Sequence, residues 1–114
     1  MSTFSNVRQA RADLLTAAGL TDVTLDPAAN VPMVLVDAIT VRAAAGVGGW
    51  TGELPVRIVV PGPGNADALA MLEDRLEVVL ATLGGAPAVP ETYGPTELPA
   101  YTVTYPVDIP NPNC

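Results

Sequence analysis

Residues 53–83 read ELPVRIVVPGPGNADALAMLEDRLEVVLATL and hold the two clearest structural signals in the chain. Residues 53–60 alternate apolar and polar side chains, which is the period of a strand with one buried face. The prolines and glycines of 61–65 predict a turn, and Asn65 can cap a following helix. Over 66–83 apolar side chains recur every three or four residues, which predicts an amphipathic helix. The stretch therefore predicts a strand, a turn and a helix in that order.

The predicted helix over 66–83 has an apolar face and an acidic face. Its apolar stripe consists of Leu69, Leu72, Leu76, Val79, Leu80 and Leu83. Glu73, Asp74 and Glu77 lie opposite, and they are interpreted as a solvated helix face rather than as metal ligands. We expect the leucine stripe to pack on the sheet.

The rest of the chain predicts one more helix and three more strands. Residues 4–18 carry apolar side chains at helical spacing, with Arg8 and Arg11 turned towards solvent. The further strands are expected at 22–26, 31–42 and 100–107. The strand over 31–42 is apolar on both faces, which is typical of a strand covered on both sides. Asp37 interrupts it, and a bend or edge position reaching water is favoured over a buried functional acid.

These elements predict an α+β fold in the order α-β-β-β-α-β, with two helices packed on one mixed or antiparallel sheet of about four strands. A single domain is expected over 1–108, followed by an extended proline-rich tail over 109–114, because Pro110 and Pro112 cannot donate ladder hydrogen bonds. Pro55 sits early in its strand, so either it lies on an edge or the paired section starts after it.

Residues 43–52, AAAGVGGWTG, contain four glycines and predict a mobile hairpin loop. The loop lacks the spacing of a phosphate-binding motif, and the chain has no lysine to complete one. Trp50, the only tryptophan, lies in this loop. Two interpretations stay open: Trp50 folds back over the sheet edge, or it is exposed and mobile and anchors a protein interface.

Composition narrows the possible functions. The chain of 114 residues is 49% hydrophobic but has only five aromatic side chains, so its core must consist of Val, Leu, Ile and Ala. Twelve acids against five arginines give a net charge of −7, which disfavours a grip on nucleic acid or on an anionic membrane. No apolar run reaches membrane-spanning length, and the N-terminal residues do not form a secretory signal. The only cysteine is Cys114, which excludes an intrachain disulfide.

The residue types that catalytic and metal sites need are scarce. The chain has no histidine and one cysteine, so metal binding would require converging carboxylates. Ser2 and Ser5 lie at the N-terminus without a base of the usual kind to activate them. Nothing selects one general acid and base among the twelve acids. We therefore predict a non-enzyme without metal or cofactor, which acts by binding other proteins.

The candidate interface residues are Arg42, Gly48, Gly49, Trp50, Arg57, Tyr101 and Tyr105. Tyrosine, tryptophan and arginine are the residues that most often anchor protein interfaces. For Tyr101 and Tyr105, packing towards the core is the favoured alternative.

The element order, the chain length, the glycine-rich hairpin loop, the strong second helix and the ending LPAYTVTYPVDI (98–109) together resemble the tail terminator proteins of long-tailed phages. The resemblance covers residues 4–107 and is one of architecture, because this family has no catalytic signature. The lysine-free composition is similar to that of phages of actinobacterial hosts.

The resemblance implies a hexameric ring on the head-proximal end of the tail tube, which ends tube polymerisation and presents the surface where the head connector docks. Its partners would be further copies of the chain, the tube protein and the connector, with DNA passing through the lumen without specific binding. The protein would reside in the neck of the virion, and in the host cytoplasm during assembly. Two alternatives remain: another neck protein (a head-completion or adaptor protein), or a small bacterial protein-binding domain.

The ring implied by the resemblance also leads to an expectation about charge. Acidic side chains would lie near the channel, where they would repel DNA phosphates. The candidates are Asp22, Asp26, Glu53, Glu91 and Glu97. Arginines would lie mostly at contacts between subunits or rings. These are Arg8, Arg11, Arg42 and Arg57.

Overall fold

Across residues 2–44 and 48–111, which the computed structural model describes, the chain forms a six-stranded mixed sheet and two helices. The helices are α1 (Thr3–Ala17) and α2 (Ala66–Leu83). The strands are β1 (Val23–Thr24), β2 (Met33–Val36), β3 (Thr40–Ala44), β4 (Gly49–Val59), β5 (Ala88–Tyr93) and β6 (Leu98–Pro110). The α+β class is as predicted, but this part of the chain contains more strands than the expected four or so.

The strand order across the sheet is β1-β2-β4-β6-β5, with β3 also paired to β4. β3 pairs with the first part of β4 and β2 with its last part, so both lie on the same side of β4. β1 runs parallel to β2, and the other pairings are antiparallel. β4 and β6 pair from Gly49↔Pro110 to Val59↔Ala100 without a register shift, and this ladder is the spine of the sheet.

Apolar clusters lie on both faces of the sheet. On the face that the helices cover, called the covered face, Val56 and Val103 belong to one buried cluster with Leu15 and Leu72 of the helices. On the opposite face, called the open face, a smaller cluster is covered by part of the loop before β2. Its buried members are Met33, Leu35, Val59 and Ala100. β2 is therefore buried on both faces, as predicted.

α1 begins one residue before the predicted start, with Ser2 as its N-cap. Its inward face differs from the prediction. Ala12 and Leu15 are buried, whereas Leu14 is 52% exposed. Arg8, expected on the solvent side, turns towards the sheet instead and donates to backbone carbonyls. The apolar pattern could not reveal this because the attraction is between a guanidinium and carbonyls distant in sequence.

α2 has the predicted bounds, and the Asn65 side chain accepts a hydrogen bond from the Ala68 amide at 3.0 Å. The buried residues of α2 are Ala68, Leu72 and Val79. Leu69, predicted to face the core, is 48% exposed. Successive residues lie about 100° apart around a helix, so when Ala68 faces the sheet Leu69 is turned to the margin of the buried face.

The predicted strand over 31–42 is divided into β2 and β3, with a break beginning at Asp37. The Asp37 amide donates to the Pro55 carbonyl at 3.0 Å. In an antiparallel strand the amide and carbonyl of one residue point to the same side, so the missing donor of Pro55 faces this break. Pro55 also pairs with Thr104 of β6 inside the ladder. Both predicted alternatives for Pro55 are therefore wrong, whereas the interruption expected at Asp37 is confirmed.

The predicted mobile loop over 43–52 is wrong at both ends. β3 continues to Ala44 and β4 begins at Gly49, so most of the segment is paired. Residues 45–47 lie outside the described residues. Gly49 has a φ of 134°, and a Cβ there would collide with the Ile109 carbonyl oxygen. Gly49 thus permits close approach of two strands, a role that composition cannot separate from flexibility.

β5 was not predicted, and β6 extends beyond the expected 100–107 at both ends. Ile109 and Pro110, expected in the extended tail, belong to β6, and Ile109 is buried. Residues 112–114 lie outside the described residues. These segments were missed because β5 contains Pro90 and both ends of β6 contain prolines, and proline normally interrupts a ladder.

Candidate protein-interaction surfaces

The seven predicted interface residues do not form one surface. Arg42, Gly48, Gly49 and Trp50 lie at the β3–β4 hairpin. Arg57 lies on the open face, while Tyr105 is buried in the covered-face cluster and Tyr101 packs against it. The two tyrosines point into the covered face because they alternate with Thr102 and Thr104 along β6.

Trp50 packs on the body of the protein. It is a half-buried residue of β4, and its ring centroid lies 5.6 Å from that of Phe4 in α1. The expectation that Trp50 is exposed is therefore wrong, and the alternative that it folds back onto the protein is confirmed, although it packs on α1 rather than over a sheet edge. A shallow cavity of about 390 Å³ lies beside it, lined by Gly48, Trp50, Asp108, Ile109 and Pro110.

Arg42 is the most accessible predicted interface cation. Its side chain is 62% exposed and donates to Glu53 at 3.0 Å. The hydrogen bond to Glu53 raises the pKa of Arg42 above its ordinary value. A pair this exposed contributes little to folding, so Arg42 remains available to a partner.

Arg57 is the centre of a polar network on the open face that joins β4, β5, β6 and the break after β2. Its Nε donates to Asp37 at 2.7 Å, and its Nη1 donates to the Thr102 hydroxyl at 3.0 Å and to Glu91 at 3.4 Å. The Thr102 hydroxyl donates to Glu91 at 2.9 Å. The guanidinium is therefore already held within the chain. Sequence reasoning identified Arg57 but missed Asp37, Glu91 and Thr102 as its partners, since no local spacing links them.

Tyr105 is a core residue, which confirms the favoured alternative. It is 4% exposed, and its hydroxyl donates to the Gly84 carbonyl at 2.8 Å, so it joins β6 to the end of α2. Burial raises the pKa of Tyr105, while the positive charge of Arg11 opposes this rise. The Arg11 guanidinium carbon lies 6.0 Å from the centre of the ring, within the range of a cation–π contact.

Two further arginines act as internal ties. Arg8 donates to the Val36 carbonyl through Nε at 3.2 Å and Nη2 at 2.9 Å, and to the Leu25 carbonyl through Nη2 at 2.9 Å. Leu25 follows β1 and Val36 ends β2, so this guanidinium closes the sheet where β1 stops. Arg75 of α2 donates to Asp22 at 2.7 Å.

In three of the strand prolines the backbone nitrogen, which cannot donate a hydrogen bond, points away from the neighbouring strand. The Thr104 amide donates to the Pro87 carbonyl at 3.0 Å, so even-numbered residues of β6 direct their backbone groups towards β5. Pro106 and Pro110 share this direction but lie past the end of β5. By the same pattern Pro90 faces the outer edge of β5. Each missing donor therefore falls where no described strand would use it, and the edge cannot readily accept another strand.

The other edges of the sheet are protected by different means. In β3 a register shift falls between Val41 and Ala43, and the charged Arg42 lies between them. Bulges and charges both discourage strand addition. The edge formed by β1 and β2 is closed by Arg8. The described sheet is thus built to avoid pairing edge to edge with another chain.

α2 carries an acidic outer face next to an apolar groove. Among the described residues no ion-pair partner approaches Asp67, Glu73, Asp74 or Glu77, and all four side chains are exposed. The groove has a volume of about 340 Å³. Its lining residues are Gly64, Asn65, Ala66, Ala68, Leu69, Leu72 and Pro99. Sequence reasoning found the acids but placed Leu69 in the core.

Within residues 2–44 and 48–111, no group of three or more His, Cys, Asp or Glu side chains is arranged to hold a metal ion. No helix of these segments combines the length and the apolarity needed to cross a membrane. The chain matches no protein-family model, and a search of curated proteins finds no similar sequence.

Proposed function

We propose that the chain is a structural virion protein, a tail terminator that forms a ring on the head-proximal end of a phage tail tube. The ring would end polymerisation of the tube and join the tail to the head connector. The observation that supports this best is the division of the sheet. The helices cover one face, whereas on the opposite face Thr104 is half-buried and Pro106 and Asp108 are exposed, so this part is available for contacts between subunits.

The protected edges suggest how such a ring would assemble. Because prolines, a bulge and Arg8 close the strand edges, contacts between sheet faces, helices and the hairpin are favoured over a sheet that continues from subunit to subunit. A ring requires a head-to-tail contact between two different patches. The hairpin with the exposed Arg42 is one such patch, and an opposite patch on the open face or the helices would complete it.

The ion pairs reduce the number of acidic residues that are candidates to line the channel. Asp22, Glu53 and Glu91 are each paired with an arginine of the same chain. Asp26 and Glu97 form no ion pair among the described residues, so they are the better candidates to face passing DNA. Arg8 and Arg57 are engaged inside the subunit, which leaves Arg42 and Arg11 as the candidate contact cations.

Electron microscopy of the purified protein mixed with polymerising tail tubes tests the proposal. We expect a ring at one end of each tube and tubes that stop elongating, whereas tubes alone continue to grow. Light scattering should detect an oligomer, alone or with tubes. Binding to the connector but not to tubes would favour the other neck proteins. A strict monomer that leaves tube growth unchanged would contradict a neck function and favour a small binding domain.

A further inference from the structure

We propose that the groove at the start of α2 binds a basic segment of a different protein, with one large apolar side chain in the groove and cationic side chains on the acidic helix face. This docking groove is formed by Asn65, Ala66, Leu69, Leu72 and Pro99. The inference goes beyond the ring proposed above and does not depend on it.

Leu69 is the apolar anchor point of the docking groove. It is 48% exposed, although the other leucines of α2 are buried or half-buried. The fold does not use this side chain fully, because Ala68 occupies the neighbouring position in the core. An apolar residue that borders a groove gains most from a partner that removes it from water.

The acids of α2 continue from this anchor along the helix. Glu73 is four residues after Leu69 and Glu77 is four residues after Glu73, so the three lie in one row with steps of about 6 Å. Arg75, the only base of α2, is turned inward to Asp22 and cannot neutralise them. The row therefore attracts cations from outside the chain.

A second copy of this chain is a poor occupant of the docking groove. Three of its five arginines are held inside the subunit, which leaves only Arg42 and Arg11 as accessible cations. Arg11 lies over the Tyr105 ring. Each copy also carries a net charge of −7, so two copies repel. A basic chain supplies more cations to α2 and is attracted by the net charge of −7, so we assign the groove to such a chain.

The arrangement also determines which side chains of the partner lie at which end of α2. Its apolar side chain lies over residues 64–69, and its Lys or Arg side chains lie one and two helical turns further along. This placement keeps the cations away from the positive end of the α2 dipole. It holds for either chain direction of the segment, because a segment of reversed sequence that runs the other way presents the same side chains.

The test uses the full-length protein labelled with nitrogen-15 and a short synthetic peptide of leucine and lysine, in which the leucine precedes the lysines. Amide chemical shifts should change mainly in residues 64–77 and near Pro99. Leu69→Ala should weaken binding about tenfold, whereas Leu14→Ala, a change of similar exposure on α1, should not. The double variant Glu73→Gln with Glu77→Gln should weaken binding about threefold and reduce its salt dependence.

Several results would overturn the inference. A peptide that does not bind at millimolar concentration refutes it. Equal binding of a peptide with glutamate in place of lysine would refute it too, as would chemical-shift changes spread over all acidic surfaces. Equal losses of peptide affinity for Leu69→Ala and Leu14→Ala are the fourth such result. Self-association of the protein alone that Leu69→Ala abolishes would assign the groove to a second copy and also refute it. Thermal unfolding of each variant shows that the fold is retained, and failure of ring formation on tail tubes has no bearing on these results.

Discussion

Replacing Arg8 with alanine tests whether this side chain is an internal tie or a contact between subunits. Its guanidinium makes three hydrogen bonds to two backbone carbonyls, those of Leu25 and Val36. A hydrogen bond from a charged donor contributes about 1.5–3 kcal/mol. Water can enter the space that the side chain vacates and bond to these carbonyls, so part of the loss is recovered. We expect Arg8→Ala to lower the free energy of unfolding by about 2–4 kcal/mol.

The matched control is Arg42→Ala, which changes the net charge by the same amount. Arg42 is largely exposed and pairs only with Glu53, so its urea midpoint should not move measurably. The stability of Arg8→Lys should lie between those of wild type and Arg8→Ala, because an ammonium cannot span two carbonyls as a planar guanidinium does. Urea unfolding followed by circular dichroism, with a shared slope for all variants, gives the comparison.

Equal losses of stability for Arg8→Ala and Arg42→Ala would refute the internal role of Arg8, because the change in net charge alone would then explain both. Unchanged stability of Arg8→Ala together with weaker assembly would also refute it. That result would return Arg8 to the contact role that the sequence suggested.

The remaining predictions concern the core, pH and salt. Trp50→Ala should lower the free energy of unfolding by about 2–3 kcal/mol in thermal melts, since the ring packs on Phe4; an unchanged melt would mean that the contact contributes nothing. Tyr105→Phe should cost about 1 kcal/mol in urea unfolding through loss of the bond to Gly84. Because burial raises the pKa of Tyr105 above its ordinary 10.0, the unfolded chain loses this proton first as pH rises. Wild type should therefore lose stability above pH 10.0, and Tyr105→Phe should lose less. Subunit association measured by sedimentation should strengthen as salt shortens the Debye length to ~8 Å, and weakening would show that attraction between charges dominates.

Local patterns predicted the helices well. The bounds of α2 follow from apolar spacing and from Asn65, because both signals arise within a few residues of one another. The rotation of α2 about its own axis could not be predicted from these signals. Whether Ala68 or Leu69 faces the sheet depends on how closely the helix and the sheet approach each other. The same limit applies to Arg8, whose acceptors lie on β2 and after β1.

Features of the candidate surfaces that depend on residues distant in sequence could not be predicted from the sequence. The partners of Arg57 lie on β5, on β6 and at the break after β2, and only the sheet order brings them together. β5 was hidden by its proline. Trp50 was misjudged because its glycine neighbours suggested mobility, although Gly49 instead allows close contact with β6. A proline is compatible with a strand when its nitrogen faces away from the ladder, and this direction can be known only once the pairing partners are known.

The prolines of β6 have a further consequence, for the alignment of strands. Pro106 and Pro110 are four positions apart, so their nitrogens point to the same side of β6. A slip of β6 by one residue against β4 would direct both missing donors into the ladder. The same slip would turn Tyr105 and Val107 out of the core. The repetitive run TVTYPV could otherwise pair in several alignments. The prolines therefore disfavour alignments of β6 that are shifted by an odd number of residues, which matters for two strands that meet across a long stretch of intervening chain.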